Sequence, residues 1–168
     1  MKIKAGVLTL SDRAYRGDYE DLSGPAIMDC LDARPEFDVI WHRVEIHPDE
    51  EDTITRILKD WSDDENLDLI LTTGGTGPAP RDRTPEATRT ILEMEIPGIP
   101  EAMRAAVRDQ VPTAALTRGI AGVRGRTLII NLPGSPKAVK ESMDVLFGFL
   151  KHLIEKIKGD PGECGENS

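Results

Sequence analysis

Apolar residues fill nearly every position of residues 3–10, 68–72 and 127–131, the signature of strands buried on both faces. Residues 37–46 predict a further strand, which His47-Pro48-Asp49 breaks. Between these runs the apolar positions recur at helical spacing. Ile27 and Leu31 follow Ser23-Gly24-Pro25 in a helix expected to reach about residue 34, with Ser23 as its N-cap. Ile54, Ile57, Leu58 and Trp61 mark one buried face of a second helix, and Met103, Ala106 and Val107 mark another within residues 97–111. Thr84-Pro85-Glu86 opens a helix with proline at its first position and an acid near the positive end of the dipole. Residues 116–126, with glycines among β-branched residues, predict a short hairpin or irregular strand pair. A single long helix is expected after Pro136, with Val139, Met143, Leu146, Phe147, Leu150, Leu153, Ile154 and Ile157 on one broad face. Residues 159–168 are polar and glycine-rich and predict a disordered tail behind a domain spanning 1–158.

Strands alternate with helices, without repeat or linker. This predicts an α/β fold, a three-layer sandwich with a mostly parallel central sheet flanked by helices. In such sheets ligands bind beyond the carboxyl ends of the strands.

A length of 168 residues suits one compact domain. The 21 Lys plus Arg against 30 Asp plus Glu leave a net charge of −9, which repels a phosphate backbone, so no nucleic-acid partner is expected. The apolar 39% is clustered in runs, which excludes wholesale disorder. No apolar stretch approaches the ~18 residues that span a bilayer, and Met1-Lys2-Ile3-Lys4 runs straight into a strand pattern. A cytoplasmic protein with no membrane partner is expected. Cys30 and Cys164 sit in unrelated contexts and read as free thiols.

The densest chemistry lies in Thr72-Thr73-Gly74-Gly75-Thr76-Gly77-Pro78. Glycines directly after a buried strand let backbone amides approach an anion that a Cβ would exclude. The spacing fits neither a Walker loop nor the dinucleotide fingerprint, and taken alone the run reads equally as a tight turn. Asn131-Leu132-Pro133-Gly134-Ser135-Pro136-Lys137 forms a second strand-to-helix corner, with Ser135 as cap. Lys137 sits against the positive end of a helix dipole, where a bound anion would give it a reason to be. Asp82, between Arg81 and Arg83, could hold magnesium beside phosphates, although locally a surface ion pair explains it better. Asp49 opens a helix after a proline, as capping alone would ask. Ser11, Asp12, Asp21 and Ser23 lie after the first strand on the same sheet edge. His42, His47 and His152 lack the spacing of a zinc site. No Gly-x-Ser-x-Gly elbow is present, which argues against a serine hydrolase.

Taken together, Thr72 to Pro78, Arg81-Asp82, Thr84-Pro85-Glu86-Ala87-Thr88 and Asn131 to Lys137 resemble the molybdopterin adenylyltransferase family. Ser11-Asp12-Arg13, Asp21-x-Ser23-Gly24-Pro25 and Pro48-Asp49 extend the likeness from about residue 2 to 150. The resemblance implies a molybdopterin-binding fold and a homotrimer that transfers AMP from Mg-ATP to the terminal phosphate of molybdopterin, releasing pyrophosphate. The metal-insertion enzyme of the same pathway is the implied partner. It also implies functional importance for Asp49 and Asp82 near the pterin and nucleotide sites, so both are candidate catalytic residues; their own chemistry makes Asp82 the candidate magnesium ligand and Asp49 the residue that orients the substrate or the metal shell. Substrate contacts fall to Ser11, Asp12, Ser23, Thr73, Gly74, Gly75, Thr76, Gly77, Pro133, Gly134, Ser135 and Lys137. One departure is that many bacterial relatives carry a longer C-terminal region. Two other readings share the fold: a non-catalytic molybdopterin-binding protein, and a competence-damage type of nucleotide-processing domain.

Overall fold

A computed structural model describes residues 1–159. Six strands form one sheet in the order β2-β1-β3-β6-β5-β4. The strands are β1 (Lys2–Leu10), β2 (Asp38–His47), β3 (Leu69–Thr73), β4 (Met94–Glu95), β5 (Ala121–Arg124) and β6 (Thr127–Leu132). β2, β1, β3 and β6 run parallel, whereas β5 and β4 are antiparallel additions at one edge. The expected mostly parallel sheet is therefore observed.

The apolar runs divide by alternation. Ile3, Ala5 and Val7 of β1 enter one core with Leu69 and Leu71 of β3 and Leu128, Ile130 and Leu132 of β6. Leu8, Leu10, Ile70 and Ile129 point the other way, into a second core with Ile54, Ile57, Leu58 and Trp61. A side-chain period of two in a strand covered on both faces makes most positions apolar, and the polar residues that remain in β3 and β6, Thr72, Thr73, Thr127 and Asn131, are buried and hydrogen-bonded within the fold. Helices α2 (Ser23–Asp32), α5 (Gly98–Val107), α6 (Pro136–Leu146) and α7 (Leu150–Ile157) cover the first face. α3 (Glu51–Lys59) and α4 (Thr84–Ile91) cover the second.

Four expectations change. The long C-terminal helix is two helices, because Phe147-Gly148-Phe149 interrupts it with tight bonds from Gly148 N to Val145 O (3.2 Å) and Phe149 N to Leu146 O (3.0 Å). A mid-helix glycine costs about 1 kcal/mol relative to alanine, and the break lets Leu146 and Leu150 both reach the core. Residues 116–126 supply only one strand of a hairpin, whose partner is β6. A short helix α1 (Asp12–Tyr15) occupies the start of the loop after β1. Ser23 is also not the cap of α2. Asp21 Oδ1 accepts from the amides of Ser23 and Gly24 (both 3.0 Å) and from the Ser23 hydroxyl (3.1 Å), since a carboxylate outcompetes a hydroxyl for those donors. The tail expected over 159–168 lies, apart from Gly159, outside the described residues. Among the described residues no helix is long and apolar enough to cross a membrane.

Candidate active site

The chain leaves β1 for β2 on one side, while β3 lies on the other, so the loops after β1 and β3 splay apart at a switch point. The predicted residues gather there. The loop after β3 turns sharply, with Gly74 at φ +92° and Gly75 at φ +63°. A Cβ on Gly74 would strike the Leu10 carbonyl oxygen, and one on Gly75 would strike the Thr84 hydroxyl and lie 2.7 Å from Asp49 Oδ1. Gly134 packs its α-carbon side against Gly74, where an added Cβ would sit 3.4 Å from Gly74 Cα. Glycine is thus required both by the turn and by the close approach of three loops.

The polar groups of this loop divide by direction. Its carbonyls are taken: Gly74 O accepts from the Thr84 hydroxyl (3.0 Å), Gly75 O from the Thr84 amide (3.2 Å), Thr76 O from the Arg118 amide (2.8 Å) and Gly77 O from Arg118 Nε (2.8 Å). Among the described residues, the amides of Gly74, Gly75, Thr76 and Gly77 donate to no protein acceptor. A loop with its oxygens tied back and its N–H groups unclaimed has donors available for an anion.

Beside it lies a cavity of about 160 Å³ lined by Thr9, Ser11, Tyr19, Asp21, Ser23, Thr73, Gly74 and Gly134, among others. Several of its polar side chains are engaged by the fold. Ser11 Oγ caps α1 by accepting from Ala14 N (3.2 Å), and the Thr73 hydroxyl donates to Pro133 O (2.7 Å), joining the two glycine corners. The Thr9 hydroxyl donates to Asp21 Oδ2 (2.7 Å). Ser135 Oγ accepts from Ala138 N (3.1 Å) and caps α6 as expected. A second cavity of about 230 Å³ lies against the same corner and includes Arg104, Thr117, Asn131, Pro133, Ser135 and Glu141 in its wall.

The acids are tied together. Asp12 and Asp49 exchange bonds, each carboxylate accepting from the other's amide at 3.1 and 3.2 Å. Arg81 clamps Asp12 with both Nε (3.0 Å) and Nη2 (2.8 Å). Burial pushes the Asp12 carboxyl up, but the Arg81 hydrogen bond, the Asp49 amide and the Arg81 charge outweigh it and hold Asp12 below the usual range. Asp49 goes the other way. Burial raises its carboxyl, the neighbouring charges of Asp12 and Asp82 add to that, and the Asp12 amide opposes them. Asp49 Oδ1 is buried and has no hydrogen-bond partner among the described residues. Asp82 bends over its own turn, Oδ2 accepting from Ala79 N (2.9 Å).

Of the predicted residues, Lys137 departs furthest from ligand contact, and Asn131, which opens the same motif, is not free for it either. The Asn131 side chain is consumed by the fold, donating to the hydroxyls of Thr72 and Thr88 (both 3.0 Å) and accepting from Ile120 N (3.2 Å). The Lys137 side chain is 80% exposed and lies 3.8 Å from Glu141 one turn along α6. Sequence reasoning missed Arg118, which grips the glycine loop from a segment taken for a hairpin. It also offered Arg81 or Arg83 as a local ion-pair partner of Asp82, whereas Arg81 reaches Asp12 and Arg83 reaches Glu51.

A family model described as a probable molybdopterin binding domain matches residues 6–152. The molybdopterin adenylyltransferase of Helicobacter pylori strain J99 is 43% identical over 166 residues, which cover 99% of this chain and 94% of that protein. That of Escherichia coli K12 is 40% identical over 144 residues, covering 84% of this chain and 72% of that protein. The crystal structure of the molybdopterin biosynthesis enzyme MoaB from Thermus thermophilus superposes with a TM-score of 0.87 at 48% identity, covering 96% of this chain and 99% of that one.

Proposed function

Since the chain belongs to the molybdopterin adenylyltransferase family, we propose that the corner formed by the loops after β1, β2, β3 and β6 is where it carries out that reaction. The protein is a nucleotidyltransferase of molybdenum or tungsten cofactor biosynthesis, joining AMP from ATP to the terminal phosphate of molybdopterin. A phosphate oxygen of molybdopterin attacks the α-phosphorus, the bond from that phosphorus to the bridging oxygen breaks, and pyrophosphate leaves. A phosphate monoester with a second pKa ≈ 6 is mostly dianionic near neutrality, so the nucleophile needs no strong base. The work left to the protein is alignment and charge neutralisation.

The observation that carries this reading is the glycine loop, whose carbonyls are tied back while four successive amides, Gly74 to Gly77, stay free to bind phosphate oxygens. Gly134 lines the cavity beside the loop, Ser135 lines the neighbouring one, and Lys137 stands exposed in the first turn of α6 after them. Ser11, Asp12 and Ser23 shape the wall after β1.

Magnesium fits the acids of this corner: hard carboxylate oxygens suit it, and the buried, unpartnered Asp49 Oδ1 is the kind of atom a cation would satisfy. Asp82 would hold the ion, with Asp49 holding it directly or ordering its waters. When bound, the ion would draw charge from the transferring phosphate. Arg81 keeps Asp12 in place, and Asp12 in turn fixes Asp49 through the paired amide bonds.

The domain of residues 1–158 carries the reaction in the cytoplasm, as a homotrimer, and hands its product to a metal-insertion enzyme. Self-association is supported by Ile40, Val44 and Ile46 standing exposed on edge strand β2. Incubating the protein with molybdopterin, ATP and magnesium should give adenylylated molybdopterin and pyrophosphate by chromatography and mass spectrometry. Tight molybdopterin binding without product would instead make it a binding protein, and cleavage of pyridine nucleotides would favour the nucleotide-processing domain.

A further inference from the structure

The turn that carries Asp82 is closed by a residue from a distant part of the chain. Arg118 lies just before β5, more than thirty positions from that turn in sequence. Its Nε donates to Gly77 O (2.8 Å) and its Nη2 to Asp82 O (2.7 Å), the two ends of the turn from Gly77 to Asp82. Its amide donates to Thr76 O (2.8 Å), and the neighbouring Thr117 hydroxyl meets the Thr76 hydroxyl at 3.3 Å. Nη1 is occupied by the carboxylate of Glu86 in the first turn of α4.

Every nitrogen of the guanidinium therefore has a partner, and its planar fork fits two carbonyls and a carboxylate at once. Lysine, a single point charge, could not span them. Burial pushes the Glu86 carboxyl up, yet the Arg118 hydrogen bond and charge hold it below the usual range, as expected of an acid that stays ionised to balance this arginine. Three of the contacts are to carbonyls, so Arg118 turns the loop's oxygens inward and leaves its amides facing the other way. Resting on the functional reading above, we infer that Arg118 is a positioning residue for adenylyl transfer: it clips the 77–82 turn shut and so sets where Asp82 and the loop amides stand.

Arg124 provides the control, because it makes the same kind of clip away from the candidate site, to the Asp63 carboxylate (2.6 and 2.9 Å) and Ile91 O (2.9 Å). Product formation, its magnesium dependence and amide hydrogen exchange are to be measured for the wild type, Arg118→Ala, Arg118→Lys and Arg124→Ala. The inference expects Arg118→Ala to lose at least tenfold in kcat, to need more magnesium for half-maximal rate, and to exchange faster within residues 74–82. Methylguanidine should restore part of that rate, and Arg118→Lys should recover little. Arg124→Ala should lose comparable thermal stability with kcat and magnesium dependence unchanged. The clip is overturned if Arg118→Ala keeps wild-type turnover and loop exchange, or if both arginine variants lose activity in proportion to lost stability. A wild type that makes no adenylylated product overturns the functional reading, and the positioning role with it, whereas unchanged loop exchange in an active enzyme overturns the clip alone.

Discussion

Asp49 and Asp82 reach the same corner of the sheet from turns built in opposite ways. Asp49 sits at the end of β2, half-buried, locked to Asp12 by paired amide bonds, with one oxygen left without a partner. Asp82 stands on a surface turn held by its own side chain and by Arg118. The first acid is fixed by burial, which raises its carboxyl above the ordinary range; the second is fixed only as well as its loop is. Asp49 should therefore lose stability as its buried carboxyl ionises, whereas the placement of Asp82 should depend on how well its loop is held.

Replacing either acid gives the largest expected effect. Asp82→Asn and Asp49→Asn should each lower turnover by about 10²–10³-fold, the scale at which charge-stabilising groups act in active sites. They should part company in stability. Asp49's folded carboxyl holds its proton more tightly than the unfolded chain's, so stability is greatest below the ordinary carboxylate range and falls as pH rises through it toward the raised value. Asp49→Asn should therefore melt higher than the wild type at neutral pH, with the gap closing on acidification, as thermal melts across pH would read. Asp82→Asn should be read in turnover and in amide exchange of its own turn.

Gly74→Ala comes next. At φ +92° with a carbonyl in the way, it should cost about 1–3 kcal/mol in denaturant unfolding and reduce turnover as well. Smaller still is Arg81→Ala, which frees Asp12 from a solvent-exposed clamp. Asp12's carboxyl is lowered in the fold, so the stability it contributes is present above the ordinary range and is lost as pH falls through the lowered value. The variant should differ from the wild type at neutral pH and converge with it in acid. Lys137→Ala should be the mildest, leaving stability within about 0.5 kcal/mol and raising KM for ATP a few-fold.

The parts legible in the sequence were those whose causes are local. β1, β3 and β6 read as buried on both faces because alternation into two cores makes nearly every position apolar, and the sharp turn after β3 was legible because Gly74 and Gly75 adopt positive φ angles that few other residues tolerate. What stayed hidden depends on distance. Arg118 and the Arg81–Asp12 clamp join residues 36 and 69 positions apart, and no spacing announces either pair. Ser23 was taken for a cap because it has the right side chain in the right place. The stronger acceptor, Asp21, stood two residues before it. The break at Gly148 was masked by apolar residues that keep helical spacing through it. Asn131, inside a motif read for ligand contact, serves the sheet.

The most direct measurement is a magnesium titration of adenylylated-molybdopterin formation by the wild type and by Asp82→Asn, with molybdopterin binding measured alongside. The account predicts magnesium-dependent product and pyrophosphate from the wild type, and from Asp82→Asn a protein that still binds molybdopterin but forms product at least ~10²-fold more slowly at any magnesium concentration. Equal turnover with the same magnesium dependence in both would contradict it.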